Sequence, residues 1–526
     1  MFLGLQRQTS NTGRPIQVKR KIRRQLEQGK RKILRRLMPF MGGTEPRVEG
    51  QPEFSGPRPT YEMAERAEAV PYGGIGIVHD IVRGVGLPEQ IDSALDALER
   101  HRPYRESDHV LNIAYNIMVG GHVLDDIEHR RNDIAFLNAL GARAIPDPTT
   151  AGDFCRRFDE GAIWSLMRAI NGTRIDVWQR SDRDFSQETA RIDADGSLVP
   201  TNGECKQGMD VSYNGIWGYH PLLISLANTK EPLFLVNRSG NRPSHEGAPA
   251  ALDQAVELCQ AAGFRDVLPR GDTDFSMTAH LDRWDAAGVR FVFGYDASAA
   301  FVDRAKNLHE CDYQELVRKA DEQFQKPRTK PPRIKEAIVR ERGYFNQQLL
   351  REDTAEFEHQ PHRAKHAYRI VVLRKVIHEE KGQVGLGWRY RYFFFVTNDR
   401  TLSQEDVIAE AHERCNQENV IEQLKNGVRA LRAPLNTLEA NWAYMVMASL
   451  AWTLKAWFAL LLPVSPRWRE MHEADQRRVL HMDFRTFLQA FILIPAQIVR
   501  SGRRLIYRLL AWRPELPILF RLIDAL

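Results

Sequence analysis

The sequence predicts an α/β protein: a mixed core interrupted by a β-rich insertion, preceded by an all-helical N-terminal domain and followed by C-terminal helices. Short runs rich in β-branched and aromatic residues indicate the core strands, and they read IDADGSLV, PLLISLA, PLFLVNRS, RDVLPRGD and VRFVFGYD. Helical stretches at 251–262 and 277–287 separate the later runs. This alternation is typical of a sheet covered by helices.

The first 60 residues are predicted to be a basic, flexible arm. Twelve basic residues lie between Arg7 and Arg36, against the single acid Glu27. Because a field of this sign attracts polyphosphate, we expect the arm to bind nucleic acid. The expected contacts are Lys19, Arg20, Lys21, Arg23 and Arg24.

Helical spacing follows the arm, and apolar residues at 110, 113, 114, 117 and 118 would form one face of a helix. We expect the strand-like runs to form a core in two parts, because a long β-rich segment separates the last run from the next helix. The predicted boundaries are 61–185 for the helical domain, 186–296 and 398–435 for the core, 297–397 for the insertion and 436–526 for the helical C-terminal region.

Composition excludes several classes of protein. At 526 residues, with 43% hydrophobic and 27% charged residues, the chain can bury large cores. The five cysteines include no CxxC pair, so neither a zinc ribbon nor a disulfide framework is predicted, and a reducing cytoplasm is expected. The apolar run Ala443–Leu462 contains Lys455 and is predicted to be a buried core helix, so no membrane partner is expected.

The stretch RCNQENVIEQLK predicts a helix that carries an acid between two cations. Residues four and seven apart share a helical face, so Arg414, Glu418 and Lys425 would project together. The apolar residues Val420, Ile421 and Leu424 would face the core. A solvated face with spaced ion pairs is the alternative interpretation of this stripe.

Two further acids, Asp195 and Asp272, each end a strand-like run. A strand end is a rigid support for a side chain that faces a cleft. Together with Glu418 they give three carboxylates from distant segments, which indicates a divalent metal site. Asp193 is an alternative to Asp195, since residues two apart on a strand share a face, and Asp274 is an alternative to Asp272.

Five motifs occur in order along the chain. They are IDADGS around Asp195, YNGIWGYHPLL at 213–223, RSGNRPSHEG at 238–247, RGDTDFS around Asp272, and ERCNQENVIEQLKNG around Glu418. In combination they resemble the DDE transposases of bacterial insertion sequences, and within them the group-one DDE domain of insertion-sequence family thirteen-eighty. The resemblance extends from roughly Tyr104 to the C-terminus.

This resemblance implies a ribonuclease-H-like core, a five-stranded mixed sheet with helices on both sides. It implies a transposase that binds the terminal inverted repeats of its element, cleaves phosphodiester bonds at the ends and joins the 3′-OH ends to target DNA. Asp195 would bridge two Mg²⁺ ions, for which Mn²⁺ substitutes, while Asp272 and Glu418 would each complete one site. The family also implies a homodimer on DNA, in the bacterial cytoplasm at the nucleoid.

The resemblance extends to DNA contacts. Arg414 and Lys425 match the basic positions of a related signature (Tyr, two residues, Arg, three residues, Glu, six residues, Lys), in which Ala411 here replaces the tyrosine. They would hold phosphates beside the cleaved bond. The loop after the third core strand is either a DNA contact or a plain surface turn, and its residues in question are Arg238, Asn241 and Arg242.

The insertion contains two β-rich runs, YRIVVLRKVI and WRYRYFFFV, joined by a glycine-containing turn. In the second run Trp388, Tyr390 and Tyr392 alternate with Arg389 and Arg391, which predicts one aromatic and one cationic face. Aromatic rings beside cations suit unpaired bases. The alternative is that the aromatic residues form the core of a hairpin and the arginines face solvent.

Two other functions share these features. A catalytically silent DNA-binding protein descended from a transposase would keep the fold and the basic arm but cut nothing. A metal-dependent nuclease without strand transfer would keep the three carboxylates but lack recognition of element ends. Only an assay of cutting and joining separates the three.

Overall fold

The computed structural model describes residues 67–99, 101, 103–317, 345–381, 384–501 and 504–526, with isolated positions between 24 and 61. Of the predicted contacts in the basic arm, Lys19, Arg20, Lys21 and Arg23 lie outside the described residues. Arg24 has a helical backbone and an exposed side chain. The DNA contacts expected of the arm stay a prediction.

The strands are short in the first half of the chain and long in the insertion. They are β1 (Glu68–Val70), β2 (Thr189–Gly196), β3 (Val199–Pro200), β4 (Asp210–Val211), β5 (Trp217–Tyr219), β6 (Leu222–Leu226), β7 (Glu231–Val236), β8 (Asp266–Gly271), β9 (Val292–Tyr295), β10 (Gln314–Glu315), β11 (Phe345–His359), β12 (Tyr368–Lys381), β13 (Val384–Thr397), β14 (Ala496–Ser501) and β15 (Arg504–Leu509). The five runs predicted to be core strands correspond to β2, β6, β7, β8 and β9.

Helices pack against the sheet and make up most of the described chain before β2 and after β13. They are α1 (Ile75–Gly84), α2 (Leu87–Ala94), α3 (Glu106–Met118), α4 (Ile127–Arg131), α5 (Ile134–Leu140), α6 (Pro148–Arg156), α7 (Glu160–Arg180), α8 (Ala248–Ala261), α9 (Leu281–Ala286), α10 (Ala299–Lys306), α11 (Gln404–Glu413), α12 (Asn416–Glu422), α13 (Leu438–Leu460), α14 (Arg469–His481), α15 (Phe484–Phe487) and α16 (Leu516–Ile523). The fold is mixed α/β, as predicted.

The central sheet is large and mixed. Its strand order is β10-β11-β12-β13-β9-β8-β2-β6-β7. β2 runs parallel to β8 and β8 parallel to β9, whereas β6 is antiparallel to both β2 and β7. All of β6 is buried, which explains its continuous apolar run LLIS. Because β2 and β8 are parallel neighbours, their carboxyl ends meet at one edge of the sheet.

The insertion does not form a separate layer. Its strands β11, β12 and β13 form an antiparallel meander, and β13 pairs with the core strand β9 through Phe394 opposite Tyr295. The two predicted runs are β12 and β13, whereas β11 was not predicted because its sequence is polar and lacks clear alternation. The insertion therefore extends the core sheet directly.

The expectations of an all-helical N-terminal domain and a purely helical C-terminal region are wrong in one respect. β1 pairs with β14, and β14 pairs with β15 in a hairpin, so the two ends of the described chain share a three-stranded sheet. β1 has only three residues, too few for a periodic pattern, and becomes a strand through its distant partner. Tertiary pairing overrides local propensity at such positions.

The apolar run predicted to be a buried helix is α13. It is long and apolar enough to cross a membrane, yet its most apolar stretch is entirely buried within the protein. The Nζ atom of Lys455 donates a 2.6 Å hydrogen bond to the carbonyl of Leu480 and lies 4.0 Å from the centre of the Trp452 ring. Burial lowers the pKa of Lys455 to about 7.

A buried carboxylate ties α7, β7 and α13 together. Glu231 accepts hydrogen bonds from Arg174 Nε at 2.9 Å, from Trp178 Nε1 at 2.8 Å and from Trp457 Nε1 at 2.9 Å. The side chains of Glu231 and Arg174 are 0% and 1% exposed. The pair is satisfied only while both charges are present.

We predict that Glu231→Gln lowers the stability of the fold by about 3–5 kcal/mol, because it leaves the Arg174 guanidinium buried without a countercharge. The measurement is the urea midpoint of unfolding followed by circular dichroism. The matched control is Glu128→Gln, which removes the acid of an exposed ion pair with Arg131 and should leave the midpoint unchanged. Equal midpoints for Glu231→Gln and the unmodified protein would contradict the prediction.

Candidate active site

The two candidate aspartates lie at adjacent strand ends. In the parallel register of β2 and β8, Asp193 is opposite Arg270, and the next residues on the same strand face are Asp195 and Asp272. Both carboxylates are partly buried. The Asp272 carboxylate also accepts a 3.0 Å hydrogen bond from the backbone N–H of Asp274, which fixes its orientation at the start of the following turn.

The segment from Arg414 to Lys425 is helical but not one continuous α-helix, which corrects the prediction of a single helix. α11 ends just before Arg414, α12 carries Glu418, and a π-helical turn over Gln423–Gly427 follows. The break arises because the N–H of Gln417 bonds to the Arg414 carbonyl at 2.8 Å, a tighter turn than an α-helix makes.

The apolar face and the exposed face predicted for this segment are both present, although the helix is interrupted. The three apolar residues expected to face the core are buried, namely Val420, Ile421 and Leu424. Gln417 anchors the segment, because its Nε2 atom donates to the carbonyls of Asp193 at 2.9 Å and Leu223 at 3.0 Å. Glu418, the next residue, is exposed on the side that faces the strand ends.

Electrostatic effects show that the candidate residues are close to one another. Burial raises the pKa of Asp195 to about 6; the Arg414 charge opposes this rise, whereas the Asp272 and Glu418 charges add to it. Arg414 Nη1 lies 3.3 Å from Asp195 Oδ2. Burial likewise raises the pKa of Asp272, against the opposing charge of Arg414. The carboxylates thus share one electrostatic environment.

Lys425 belongs to the same environment. Burial lowers the pKa of its ammonium group, and the Asp195 carboxylate opposes this shift. Asp195 is therefore the common neighbour of this set: Arg414 is in contact with it, and the charges of Asp272 and Glu418 act on its pKa. That these residues form one catalytic site stays a prediction. Their individual roles stay a prediction.

The chemistry of the donor set fits a divalent cation. Carboxylate oxygens are the hard ligands that Mg²⁺ takes, and added positive charge would stabilise the Asp195 carboxylate against the charges of Asp272 and Glu418. The positions of the carboxylates fit a metal site less well than their chemistry does. Among the described residues, no group of three or more His, Cys, Asp or Glu side chains is compact enough to hold a metal ion. Arg414 supplies the positive charge next to Asp195 instead.

The alternative ligand Asp193 is used elsewhere. Its side chain is 1% exposed and accepts from Arg270 Nε at 2.7 Å and from Nη2 at 3.0 Å. Arg270 Nη1 donates to Glu410 Oε2 at 2.7 Å, and Arg191 donates to the same carboxylate. This paired, buried carboxylate is not available as a metal ligand. Asp274 is exposed beside Asp272 and makes no such bond.

Sequence reasoning missed this ion-pair network and Gln417. A signal for the network was present, because Arg270 interrupts the apolar strand run DVLP two residues before Asp272 and shares its strand face. A charged residue within a buried strand requires a countercharge nearby. For Gln417 the sequence offers no comparable signal.

The loop after β7 is only partly available to DNA. Arg238 is 7% exposed, and its guanidinium donates to the carbonyls of His220, Pro243, Ser244 and Glu246. We therefore correct the expectation that Arg238 contacts DNA: it folds the loop. Asn241 is exposed and donates to Asp210 at 2.5 Å, and Arg242 is exposed with Glu246 at 3.5 Å.

Steric crowding explains why a glycine, Gly196, occupies its position in the IDADGS motif. A Cβ atom at Gly196 would lie 2.6 Å from His220 Nε2, so no larger residue fits there. The same imidazole donates from Nδ1 to the Arg242 carbonyl at 2.9 Å. Burial lowers the pKa of His220, and the charges of Asp274 and Lys425 act on it as well. His220 therefore packs against the end of β2 and supports the wall of the site.

The aromatic residues of β13 divide between the surface and the core. Trp388 is 69% exposed and Tyr390 53%, whereas Tyr392 is 9% exposed. The hairpin-core interpretation is thus right for Tyr392 and wrong for the other two. Arg389 and Arg391 are also exposed, with Arg389 Nη1 3.3 Å from Glu379 Oε1.

Of the comparisons with known proteins, the family model agrees with the motifs. Among curated protein sequences none matches the chain. Among solved structures, the cryo-EM structure of the piggyBac transposase synaptic complex with hairpin DNA aligns with 81% of this chain and 84% of that chain, at 10% identity and a TM-score of 0.32. The family model described as transposase DDE domain group 1 matches residues 67–526, nearly all of the described chain. The chain therefore belongs to the transposase DDE domain family, group 1.

Proposed function

We propose that this transposase binds the terminal inverted repeats of a bacterial insertion sequence of family thirteen-eighty, cleaves phosphodiester bonds at the element ends, and joins the 3′-OH ends to target DNA. One observation carries the proposal: Asp195 and Asp272 end adjacent parallel strands, and the charge of Glu418 reaches Asp195 from the facing helix. DDE transposases generally use divalent metals, and this donor set suits two Mg²⁺ ions, or Mn²⁺.

When bound, such metals supply Lewis-acid stabilisation of the attacking and leaving oxygens on either side of the scissile phosphate. The residues of the chain bind and orient. Asp195, Asp272 and Glu418 would hold the metal ions at the strand ends. Arg414 and Lys425 bind non-bridging phosphate oxygens and orient the backbone, since a guanidinium donates two parallel hydrogen bonds to a phosphate. Arg414 exchanges its present contact with Asp195 for this one.

The unit β7-β6-β2-β8-β9 is proposed as the ribonuclease-H-like core, since it is a five-stranded mixed sheet with α8 packed on it. We propose the division into a basic arm (1–60), a helical DNA-binding domain (61–185), a catalytic core (186–296 and 398–435), an insertion (297–397) and a C-terminal region (436–526). The protein acts as a homodimer on DNA, in the bacterial cytoplasm. A dimer would bring two element ends together.

The first prediction from this proposal concerns the carboxylates. Glu418→Gln and Asp272→Asn should each lower cleavage and strand transfer more than about a hundredfold, because each removes a metal ligand. The measurement uses a labelled duplex that carries one terminal repeat, incubated with Mg²⁺ or Mn²⁺. Binding of the duplex should be retained.

The matched control is Asp274→Asn, which neutralises an exposed carboxylate two residues from Asp272. It should keep full activity, and a dead Asp274→Asn variant would contradict the ligand assignment. End-specific binding without cutting by the unmodified protein would favour the silent DNA-binding descendant. Cutting without joining would favour the nuclease.

The second prediction concerns pH. The pKa of Asp195 is raised to about 6, so protons compete with a metal below that pH. Affinity for Mn²⁺, measured by electron paramagnetic resonance without DNA, should rise as pH increases through about 6 and then level off. In Asp195→Asn the affinity should be low and should lack this step. A step that persists in Asp195→Asn would assign the titration to another group.

The third prediction concerns the exposed end of β13. We propose that Trp388 stacks on an unpaired base while Arg389 and Arg391 hold the adjacent backbone. Trp388→Ala should weaken binding to a duplex with an unpaired end by about 1–3 kcal/mol and leave binding to a fully paired duplex unchanged. Fluorescence anisotropy measures both affinities.

The matched control is Trp468→Ala, since Trp468 is 52% exposed in the turn before α14. This variant should bind both duplexes normally. An equal loss for paired and unpaired ends in Trp388→Ala would show that the ring does not read unpaired bases.

A further inference from the structure

Four cations gather on the C-terminal side of the Glu418 helix and are called the cationic cluster: Lys425, Arg429, Arg432 and Arg485. The charge of Arg432 acts on the pKa of Lys425. The charges of Arg429 and Arg485 both act on the pKa of the exposed His122. The charges of Arg432 and Arg429 also both act on Tyr444, which links the two pairs. These effects indicate that the four cations are neighbours, with Lys425 nearest to Asp195.

Contacts between segments confirm this proximity. The N–H of Phe484, next to Arg485, donates to Gln423 Oε1 at 2.9 Å. A Cβ atom at Gly427 would lie 3.1 Å from that of Phe484. The start of α15 therefore packs on the π-helical turn, and Arg485 lies beside the segment that carries Arg429 and Arg432.

The cluster has no internal countercharge. Among the residues that the structure describes, none of its four members forms an ion pair, although arginines elsewhere do so repeatedly. Nearby acids are engaged by neutral partners. Glu422 accepts from the amides of Gln423 and Asn426, and Asp126 accepts from backbone N–H groups at 122 and 123. Like charges held together repel one another, so the surface is stabilised by an external anion.

The backbone of the cluster is irregular in two places. The π-helical turn over Gln423–Gly427 ends in a 2.7 Å bond from the Val428 N–H to the Gln423 carbonyl. Arg429 follows with φ of 57°, which a residue with a Cβ rarely adopts. Such conformations persist only where packing enforces them, and they concentrate at functional sites.

Packing does enforce this conformation. The residues that alternate with the arginines are buried: Val428 is 1% exposed, Ala430 0% and Leu431 4%. The apolar side chains fasten the segment to the core, so that Arg429 and Arg432 are directed outward at fixed positions. Arg432 and Arg485 are exposed, and Arg429 is half-buried.

We propose that the cationic cluster binds the backbone phosphates of the DNA that flanks the scissile phosphate, continuing the contact made by Lys425. The inference rests on the proposed function and adds a surface to it. Because the cluster begins beside Asp195, a duplex delivered to the strand ends extends over it. Backbone contacts of this kind set register and affinity but read no sequence.

The test uses Arg432→Gln combined with Arg485→Gln, two exposed positions whose replacement leaves the core intact. Affinity for a fluorescent duplex is measured over a range of salt concentrations. The plot of log affinity against log salt should lose about 0.9 in slope for each phosphate contact removed, or about 1.8 for the pair. The charge-preserving variants Arg432→Lys and Arg485→Lys should restore most of the slope.

The matched control is Arg168→Gln combined with Arg265→Gln, which removes the same charge from exposed positions on α7 and before β8. Its slope should equal that of the unmodified protein. Equal slopes for the cluster variant and this control would overturn the inference, even where the unmodified protein cuts element ends.

Two kinds of DNA can supply the phosphates, and separate arms distinguish them. Cleavage of an intact element end tests the element DNA and its flank. Strand transfer from a precut end into a circular plasmid tests target DNA. If the cluster variant loses only the cleavage of an intact end, the cluster binds flanking DNA. If it loses only strand transfer, the cluster binds target DNA, and that part of the proposal is overturned. The unmodified protein could fail to cut DNA while the cluster variant still shows the reduced salt slope. That result would count against the proposed function alone and not against the cationic cluster.

Discussion

The buried guanidinium of Arg270 is the interaction on which the geometry of the site depends. It joins Asp193 on β2 to Glu410 on α11, and it is itself part of β8. On β2 a candidate ligand, Asp195, follows Asp193 by two residues, and Asp272 likewise follows Arg270 by two residues at the end of β8. Glu418 follows Glu410 by eight residues, on the next helix, α12. Removing one partner of a buried pair leaves an uncompensated charge, so the three segments are held in one arrangement. Apolar packing of equal volume would allow sliding that a bidentate guanidinium does not.

Charges are paired in the interior of the protein but not on the surface beside the candidate site. Inside, Arg270, Asp193, Glu410 and Arg191 neutralise one another, and the network is closed to an incoming ligand. At the strand ends burial raises the pKa of Asp195 to about 6, and the charges of Asp272 and Glu418 add to this rise. On the adjoining surface the cationic cluster forms no ion pair with any residue that the structure describes. Carboxylates whose charge is only partly balanced by Arg414, next to unpaired cations, would suit the metal ions and the polyanion of the proposed function. A metal ion at the carboxylates would add positive charge beside the cations and would therefore favour binding of the polyanion.

Much of this could be predicted from sequence, and the failures have physical causes. Short apolar runs indicated the core strands because strands that are covered on both faces, as β6 is, have nearly continuous apolar sequences. The motifs singled out Asp195, Asp272 and Glu418 as candidates, but they could not show that a tight turn at Gln417 breaks the helical segment that carries Glu418. β1 escaped prediction because it exists only through pairing with β14. Arg238 was misjudged because the sequence of a loop does not reveal whether a guanidinium turns outward to solvent or inward to four carbonyls.

Continuity of the sheet gives the insertion a mechanical role. Because β13 pairs with β9 and β9 with β8, the exposed end of β13 belongs to the same hydrogen-bonded sheet as the strand that ends at Asp272. Strands in one sheet move together far more than domains joined by a linker do. DNA held at Trp388 would therefore contact the same hydrogen-bonded sheet that carries Asp195. A separately hinged insertion would lose this connection, so the long strands would position a DNA contact at Trp388 relative to the strand ends.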